Sequence, residues 1–84
     1  MSSSPEEERA RLLKARRTVF GSRLRQLRTA RELSLEALAS RARVDRSFLN
    51  EVELGQASPR LDWVYDVAAA LGVHPGELFR DPRR

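Results

Sequence analysis

The chain has 84 residues, no cysteine, and a formal net charge of +4. This length allows one small domain and disfavours an enzyme with a deep pocket. Without cysteine there is no disulfide framework or thiolate metal site, and the single His74 cannot form a metal cluster alone, so no cofactor or metal is expected. No apolar run approaches the roughly 18 residues of a membrane helix, and the acidic start is unlike a secretory signal, so a soluble cytoplasmic protein is expected.

Positive charge is concentrated in the first half of the chain. Residues 1–17 contain five Lys/Arg and three Asp/Glu, residues 18–44 contain six and two, and residues 45–84 contain five and seven. Clustered basic residues suit a polyanion such as nucleic acid, because Arg and Lys neutralise phosphates and release counterions. The alternative is codon bias, since 15 of the 16 basic residues are Arg. Charge alone therefore leaves nucleic-acid binding open.

A helical extension is predicted over residues 1–17. Ser4 is a candidate N-cap, Pro5 occupies the first helical position, and Glu7 follows the cap by three residues, which together indicate the start of a helix. Its apolar content is thin. Gly21 weakens a helix without ending it, so the pattern leaves open whether this helix is separate or continues into the next one.

The rest of the chain has apolar residues at helical spacing, and no segment alternates with the period of a strand. The predicted helices, in chain order, are Thr18 to Ala30, Leu35 to Ala42, the stretch from Asp45 to Gly55, Arg60 to Leu71, and Gly76 to Phe79. Ser34 and Asp45 are candidate caps, and Gly55 is expected to end its helix in the left-handed conformation. The sequence predicts an all-α, compact five-helix domain over residues 18–80 and a frayed tail at residues 81–84.

Residues 34–55 are the most informative segment for function. Two short helices joined by a three-residue turn, with Ala39, Val44, Leu49 and Val52 packed between them, predict a helix-turn-helix. In this motif the second helix presents its N-terminal half to the major groove of DNA. At 100° per residue, Leu49 and Val52 share the buried side of that helix.

The other faces of this second helix carry side chains that suit base reading. Arg can pair with guanine and Asn with adenine, Phe can contact a thymine methyl, and a carboxylate can accept from cytosine. The candidate base-reading residues are Arg46, Ser47, Phe48, Asn50 and Glu51. The alternative is that they form a solvated face and that Phe48 is a packing residue.

Contacts to the DNA backbone are predicted on both sides of this helix. The N-terminus of the first helix of the motif offers amide donors and a favourable dipole, and the following loop offers polar side chains. The candidate phosphate-binding residues are Ser34, Leu35, Gln56, Ser58 and Arg60. A capping role for Ser34 is equally good, and both roles are compatible.

Residues 20–79 resemble the Xre/Cro/CI family of helix-turn-helix DNA-binding domains, which implies a fold like that of lambda repressor. The motifs that carry the resemblance are Leu24-Arg25-Gln26-Leu27-Arg28, Leu38-Ala39, Glu53, and the run from Ala68 to Val73. The run Asp45-Arg46-Ser47-Phe48-Leu49 looks most like the controller proteins of restriction–modification systems, which are small dimeric transcription regulators.

The resemblance also assigns roles to individual residues. In the family, an Arg and a Glu at the places of Arg28 and Glu53 form an internal ion pair, and a buried carboxylate needs such a partner. The family commonly has Gly where this chain has Arg43, and a left-handed Arg43 costs about 1–2 kcal/mol unless contacts compensate. This makes Arg43 a further candidate for a phosphate contact. Leu54 and Gln56 stand at positions that are frequently basic in the family, so fewer phosphate contacts are expected there.

Two aromatic residues, Trp63 and Tyr65, fall in a helix whose inward face is already full. One of them is expected to complete the core, and the other to form an exposed apolar patch of the kind that marks a partner surface. The candidate dimer-interface residues are Trp63, Leu78 and Phe79. A two-fold dimer would set two recognition helices about 34 Å apart on a pseudo-palindrome.

The sequence as a whole favours a homodimeric transcription regulator that binds double-stranded DNA sequence-specifically at a pseudo-palindromic operator. The controller resemblance implies an autoregulator that activates or represses according to operator placement, and a phage-type repressor is the alternative within the same family. No catalysis is expected, because no arrangement of nucleophile and base is present. The alternative is an antitoxin or adaptor whose main partner is another protein, bound through residues 1–17.

Overall fold

The computed structural model of the protein describes residues 3–83. Its helices are α1 (Pro5–Ala30), α2 (Leu35–Ala42), α3 (Arg46–Glu53), α4 (Leu61–Leu71) and a 3₁₀ helix at Pro75–Phe79. The described residues contain no strand, so the all-α prediction is confirmed. None of these helices is long and apolar enough to cross a membrane. Met1, Ser2 and Arg84, which belong to the predicted extension and tail, lie outside the described residues.

Helix α1 runs without a break through both the predicted extension and the first predicted core helix. Its start is as expected, because Glu7 N donates to Ser4 Oγ at 3.2 Å. Gly21 lies in the interior of this 26-residue helix and is buried. A Cβ at this position would collide with the carbonyl oxygens of Val52 and Glu53. Gly21 is therefore required by the close approach of α1 to the end of α3, and it does not mark a boundary between helices.

The predicted count of five helices is wrong in one respect. Four α-helices are present among residues 3–83, and the last predicted helix is a five-residue 3₁₀ helix that begins at Pro75. Pro75 sets the backbone angle for one helical turn, and the helix ends at Arg80, where the backbone is extended.

The core lies where α1 packs against α3 and α2 packs against α4. The largest fully buried side chains are Leu24, Leu38, Leu49, Leu78, Val52 and Val67. Burial of each such side chain contributes about 1.5–3 kcal/mol. Leu78 has no exposed surface, because the 3₁₀ helix packs against both α1 and α4 and turns this side chain inward. Its predicted place in an exposed dimer patch was therefore wrong.

Local capping bonds fix the ends of the short helices. Ser34 Oγ accepts from Ala37 N at 3.0 Å at the start of α2, and Asp45 Oδ2 accepts from Phe48 N at 2.8 Å at the start of α3. Each satisfies an amide that the helix itself leaves unpaired. Gly55 follows the end of α3 with φ of 75°, the left-handed conformation predicted for it.

Candidate nucleic-acid interface

The turn between α2 and α3 contains three residues and sets the angle between the two helices. Arg43 ends α2 with φ of 57° and ψ of 45°, so this residue keeps the left-handed conformation without being glycine. Val44 N donates to Ala39 O at 3.0 Å, and the Val44 side chain packs against the core. The Arg43 side chain is exposed. A strained backbone therefore presents a cation at the corner of the motif.

Helix α3 has one buried and one exposed face. Leu49 is 0% exposed and Val52 is 1% exposed, and both lie in the hydrophobic core. Exposed side chains cover the remaining faces, namely Arg46, Ser47, Asn50, Glu51 and Leu54. Four of the five predicted base-reading residues thus lie together on the solvent side of one helix.

Phe48, the fifth predicted base-reading residue, is half-buried. Its ring meets the Trp63 ring edge to face, with centroids 5.7 Å apart and an interplanar angle of 83°. Pairs of this geometry contribute about 0.5–1.5 kcal/mol beyond their buried area. Phe48 therefore joins α3 to α4, which is the packing role that the sequence left open as an alternative.

Trp63 lies beside α3 and not in a patch with Phe79. Phe79 instead packs against Phe20 of α1, with ring centroids 5.3 Å apart, and remains 63% exposed. The three residues predicted to form one dimer patch therefore point to three places: Leu78 into the core, Trp63 toward Phe48, and Phe79 toward α1. Sequence spacing could not separate them, because each orientation depends on a contact with a distant element.

A cleft of about 410 Å³ brings together residues that are distant in sequence. Three of the predicted phosphate-binding residues line it: Arg43, Ser58 and Arg60. Phe48 and Trp63 also line the cleft, together with three carboxylates, those of Asp45, Asp62 and Asp66. The sequence had not indicated this grouping.

The other predicted phosphate-binding residues lie at two places. Ser34 is exposed at the start of α2 and Leu35 is half-buried beside it, where the first amides of the helix have no intrahelical acceptor. Gln56 is exposed in the loop after α3. Polar donors are thus exposed at the start of α2, together with the positive end of the α2 dipole, and in the loop after α3.

Arg28 and Glu53 form the ion pair that fixes α3 on α1. Arg28 Nε donates to Glu53 Oε2 at 2.7 Å and Nη2 donates to Oε1 at 2.9 Å, while Nη1 donates to Leu33 O at 2.7 Å. The two side chains are only 11% and 4% exposed. These hydrogen bonds to Glu53 raise the pKa of the Arg28 guanidinium, although burial acts in the opposite direction. The pair is a bidentate salt bridge that holds the buried side of α3 against α1.

One further internal ion pair was not anticipated. Arg23 Nε donates to Glu77 O at 2.8 Å and its Nη2 to Glu77 Oε1 at 3.0 Å, which ties the 3₁₀ helix to α1. In the sequence, Arg23 is one of six basic residues within residues 18–44, and no motif distinguishes it from the others. The positive charge of Arg23 on α1 is therefore paired within the protein and is not available to a ligand.

Comparison with known proteins identifies the fold just described. Residues 19–81 match the family described as the helix-turn-helix domain. The chain belongs to this helix-turn-helix family. It is accordingly a helix-turn-helix DNA-binding regulator, and double-stranded DNA is its partner.

Individual helix-turn-helix relatives place it near controller proteins. It is 33% identical over 64 residues to control protein C.BamHI of Bacillus amyloliquefaciens, covering 75% of this chain and 79% of the relative. The crystal structure of the restriction-modification controller protein C.AhdI from Aeromonas hydrophila is 46% identical with a TM-score of 0.76, over 77% of this chain and 98% of that chain. A hypothetical transcription factor NHTF from Neisseria is 31% identical with a TM-score of 0.76, over 81% and 78%. The resemblance to controller proteins is confirmed.

Proposed function

We propose that this helix-turn-helix regulator binds a pseudo-palindromic operator as a homodimer, with one α3 helix in the major groove of each half-site. The observation that carries the proposal is the exposed face of α3, with exposed Arg43 in the turn before this helix and exposed Gln56 in the loop after it. The helix that reads bases must be free on the side opposite to its core contacts, and α3 meets this requirement.

Direct base contacts are assigned to the four exposed residues of that face, Arg46, Ser47, Asn50 and Glu51. Arg46 is in the first turn of α3, the part of a recognition helix that enters the groove most deeply. Phe48 contributes a smaller apolar contact, because Trp63 already covers one edge of its ring.

Phosphate contacts are assigned to residues outside the α3 face. Arg43, Ser58 and Arg60 share one cleft, so a single backbone segment of DNA can reach all three. Ser34, the Leu35 amide and Gln56 are assigned to a second segment. The carboxylates of Asp45, Asp62 and Asp66 also line this cleft and repel a phosphate. A phosphate contact there therefore depends on direct pairing with the guanidinium groups of Arg43 and Arg60.

The homodimer is supported by exposed apolar side chains on the face of α4 and the 3₁₀ helix. Leu61 is 69% exposed, Tyr65 55% and Phe79 63%. Leu61 and Tyr65 are one helical turn apart and share a face of α4. A second copy that covers this surface would remove it from water, and the symmetry of the dimer would match that of the operator.

Selection from random duplex DNA at near-physiological salt tests this function. We expect recovery of a pseudo-palindrome with half-sites about ten base pairs apart. Recovery of no motif would contradict sequence-specific binding and would favour a role directed at a protein partner. An asymmetric single half-site would support the base-reading assignment but contradict the dimer.

A further inference from the structure

Two contacts hold α3 against two different helices, one near each of its ends. Near the C-terminus, Glu53 forms the bidentate ion pair with Arg28 of α1. Near the N-terminus, the Phe48 ring meets the Trp63 ring of α4 edge to face. The first two residues of α3 are exposed, so Phe48 is the first side chain of this helix that packs against the domain. The aromatic contact therefore attaches the end of α3 that is assigned to the bases.

These two contacts lie at opposite edges of the buried face of α3. At about 100° per residue, Phe48 and Glu53 are about 140° apart around the helix. The buried side chains of Leu49 and Val52 lie between them. The hydrophobic effect that buries these two side chains is non-directional, so it does not by itself set the rotation of the helix. The contacts at the edges, one to α4 and one to α1, set that rotation.

The Trp63 side chain contributes the packing of its ring and no hydrogen bond. Its Nε1 is buried and has no hydrogen-bond partner among residues 3–83. A buried donor without a partner opposes folding, so the stabilising contribution of Trp63 comes from the contacts of its ring. The centroid distance of 5.7 Å and the angle of 83° to Phe48 match the edge-to-face arrangement that aromatic pairs prefer.

We propose that Trp63 is a positioning residue for DNA recognition, which acts through Phe48 to fix the rotation of α3 and thereby the placement of Arg46 and Ser47 on the bases. The inference rests on the proposed function and adds a residue of α4 to the determinants of base choice. Side chains of a helix end about 5–6 Å from its axis, so a rotation of about 15° moves them by about 1.5 Å. Hydrogen bonds to base edges do not tolerate a displacement of this size.

The aromatic pair also borders the surface assigned to the DNA backbone. Phe48 and Trp63 line the same cleft as Arg43, Ser58 and Arg60. The pair thus joins the side chains assigned to phosphate to the helix assigned to bases. A rigid connection between these two surfaces keeps the base-reading side chains in a fixed position relative to the backbone that the cleft binds.

Base discrimination by Trp63 variants of the full chain tests this inference. The quantity measured is the ratio of affinities for the selected operator and for duplexes with one changed base pair, taken position by position in competition binding. Trp63→Leu keeps an apolar side chain but removes the ring contact, so discrimination should fall about fivefold or more at several adjacent positions. Trp63→Phe keeps a ring beside Phe48 and removes the unpaired donor, so its discrimination should match that of the wild type.

The pattern of loss separates positioning from direct contact with DNA. Arg46→Ala should change discrimination at one position, and Arg60→Ala should weaken all duplexes and leave the ratios unchanged. A rotated α3 changes several positions together. The double variant Phe48→Leu/Trp63→Leu should lose no more discrimination than Phe48→Leu, because both substitutions remove the same contact.

Leu71→Val is the matched control for a loss of stability. Leu71 is 4% exposed, and it lies eight residues after Trp63, which is about 12 Å along α4. Truncation of this core side chain should lower the melting temperature and leave every discrimination ratio unchanged. The binding assays are run where urea denaturation shows each variant to be folded.

Trp63 is the single tryptophan of the chain, so its fluorescence reports on this contact directly. A duplex bound in the cleft excludes water from the ring, and the wild-type emission should shift to shorter wavelength when the selected operator binds. Phe48→Leu uncovers part of the indole and should shift the emission of the free protein to longer wavelength. Unchanged emission in the free Phe48→Leu variant would contradict the aromatic contact.

The outcomes separate this inference from the proposed function. A selective wild-type chain whose ratios are unchanged by Trp63→Leu overturns the positioning role and leaves the proposed function intact. Equal losses in Leu71→Val also overturn it, because any loss of stability would then suffice. Trp63→Phe with the same losses as Trp63→Leu overturns the role of the ring and assigns it to Nε1. A wild-type chain without base preference contradicts the proposed function and this inference together.

Discussion

Arg28 of α1 and Glu53 of α3 form a bidentate ion pair across 25 positions of sequence, with both side chains nearly excluded from solvent. The pair joins the longest helix of the protein to the one that carries the base-reading face. Its position therefore couples the stability of the domain to the orientation of α3.

Removal of one member of this pair should destabilise the domain strongly. Glu53→Gln or Arg28→Ala leaves the other group buried without its partner, and we expect a loss of about 3 kcal/mol in the free energy of unfolding. Urea denaturation checks the value. The double variant Arg28→Met/Glu53→Leu should lose less than either single change, because no uncompensated charge remains. A loss below about 1 kcal/mol in the single variants would place the pair among weak surface bridges.

Gly21→Ala should destabilise the protein although alanine is the better helix former. The propensity gain is about 1 kcal/mol, but the new Cβ collides with the carbonyl oxygens of Val52 and Glu53. Forcing α1 and α3 apart should cost about 1–3 kcal/mol more than the gain. Ser22→Ala, at an exposed position of the same helix, is the matched control and should be neutral or stabilising. A raised melting temperature for Gly21→Ala would refute the close approach.

Two substitutions of Arg43 should separate the effect of backbone strain on stability from the effect of its side chain on DNA binding. Arg43→Gly relieves the left-handed strain and should stabilise the domain by up to about 1 kcal/mol, while the loss of a phosphate contact weakens DNA binding. Arg43→Ala keeps the strain and should weaken DNA binding equally without stabilising the fold. Thermal denaturation and the salt dependence of binding check the two effects, and the salt slope should fall by about one for either change.

Arg46 and Arg60 should have different effects on DNA selection. Arg46→Ala should relax base choice at one position of each half-site, at about 1–3 kcal/mol, because its guanidinium is assigned to a base edge. Arg60→Ala should weaken binding to all duplexes similarly and reduce the salt slope. Competition binding against single-base operator variants measures both. Identical profiles for the two variants would show that the division between base and phosphate contacts is wrong.

Leu78 and Phe79 are adjacent in sequence but should respond oppositely to truncation. Leu78→Ala removes a fully buried side chain and should cost about 2–5 kcal/mol in unfolding free energy. Phe79→Ala removes a ring that is 63% exposed, so it should affect the monomer less and the dimer more. Denaturation at low concentration and sedimentation at high concentration distinguish the two effects. Equal losses of stability would contradict the opposite orientations.

The sequence predicts the part of the candidate site that lies on a single helix, α3. The exposed positions of α3 follow from its period, so Arg46, Ser47, Asn50 and Glu51 were grouped correctly on its solvent side. Phe48 stands at the edge of that face, where period alone leaves a side chain free to turn either way. Its contact with Trp63 decided the matter.

The sequence by itself determined the features that arise from neighbours within about one helical turn. The caps by Ser4, Ser34 and Asp45 each join residues three apart, and Gly55 takes the left-handed conformation directly after the end of α3. These interactions depend on short-range geometry that the residue order fixes directly.

Only the tertiary structure decided the continuity of α1 through Gly21, the inward turn of Leu78 and the grouping of Arg43 with Arg60 in one cleft. Each depends on which elements pack together. Arg23 illustrates the reason, since its side chain donates hydrogen bonds to Glu77, 54 residues further along the chain. Periodicity shows which residues share a face of one helix. Whether an arginine on that face binds a ligand or forms an internal ion pair depends on which other elements fold against it.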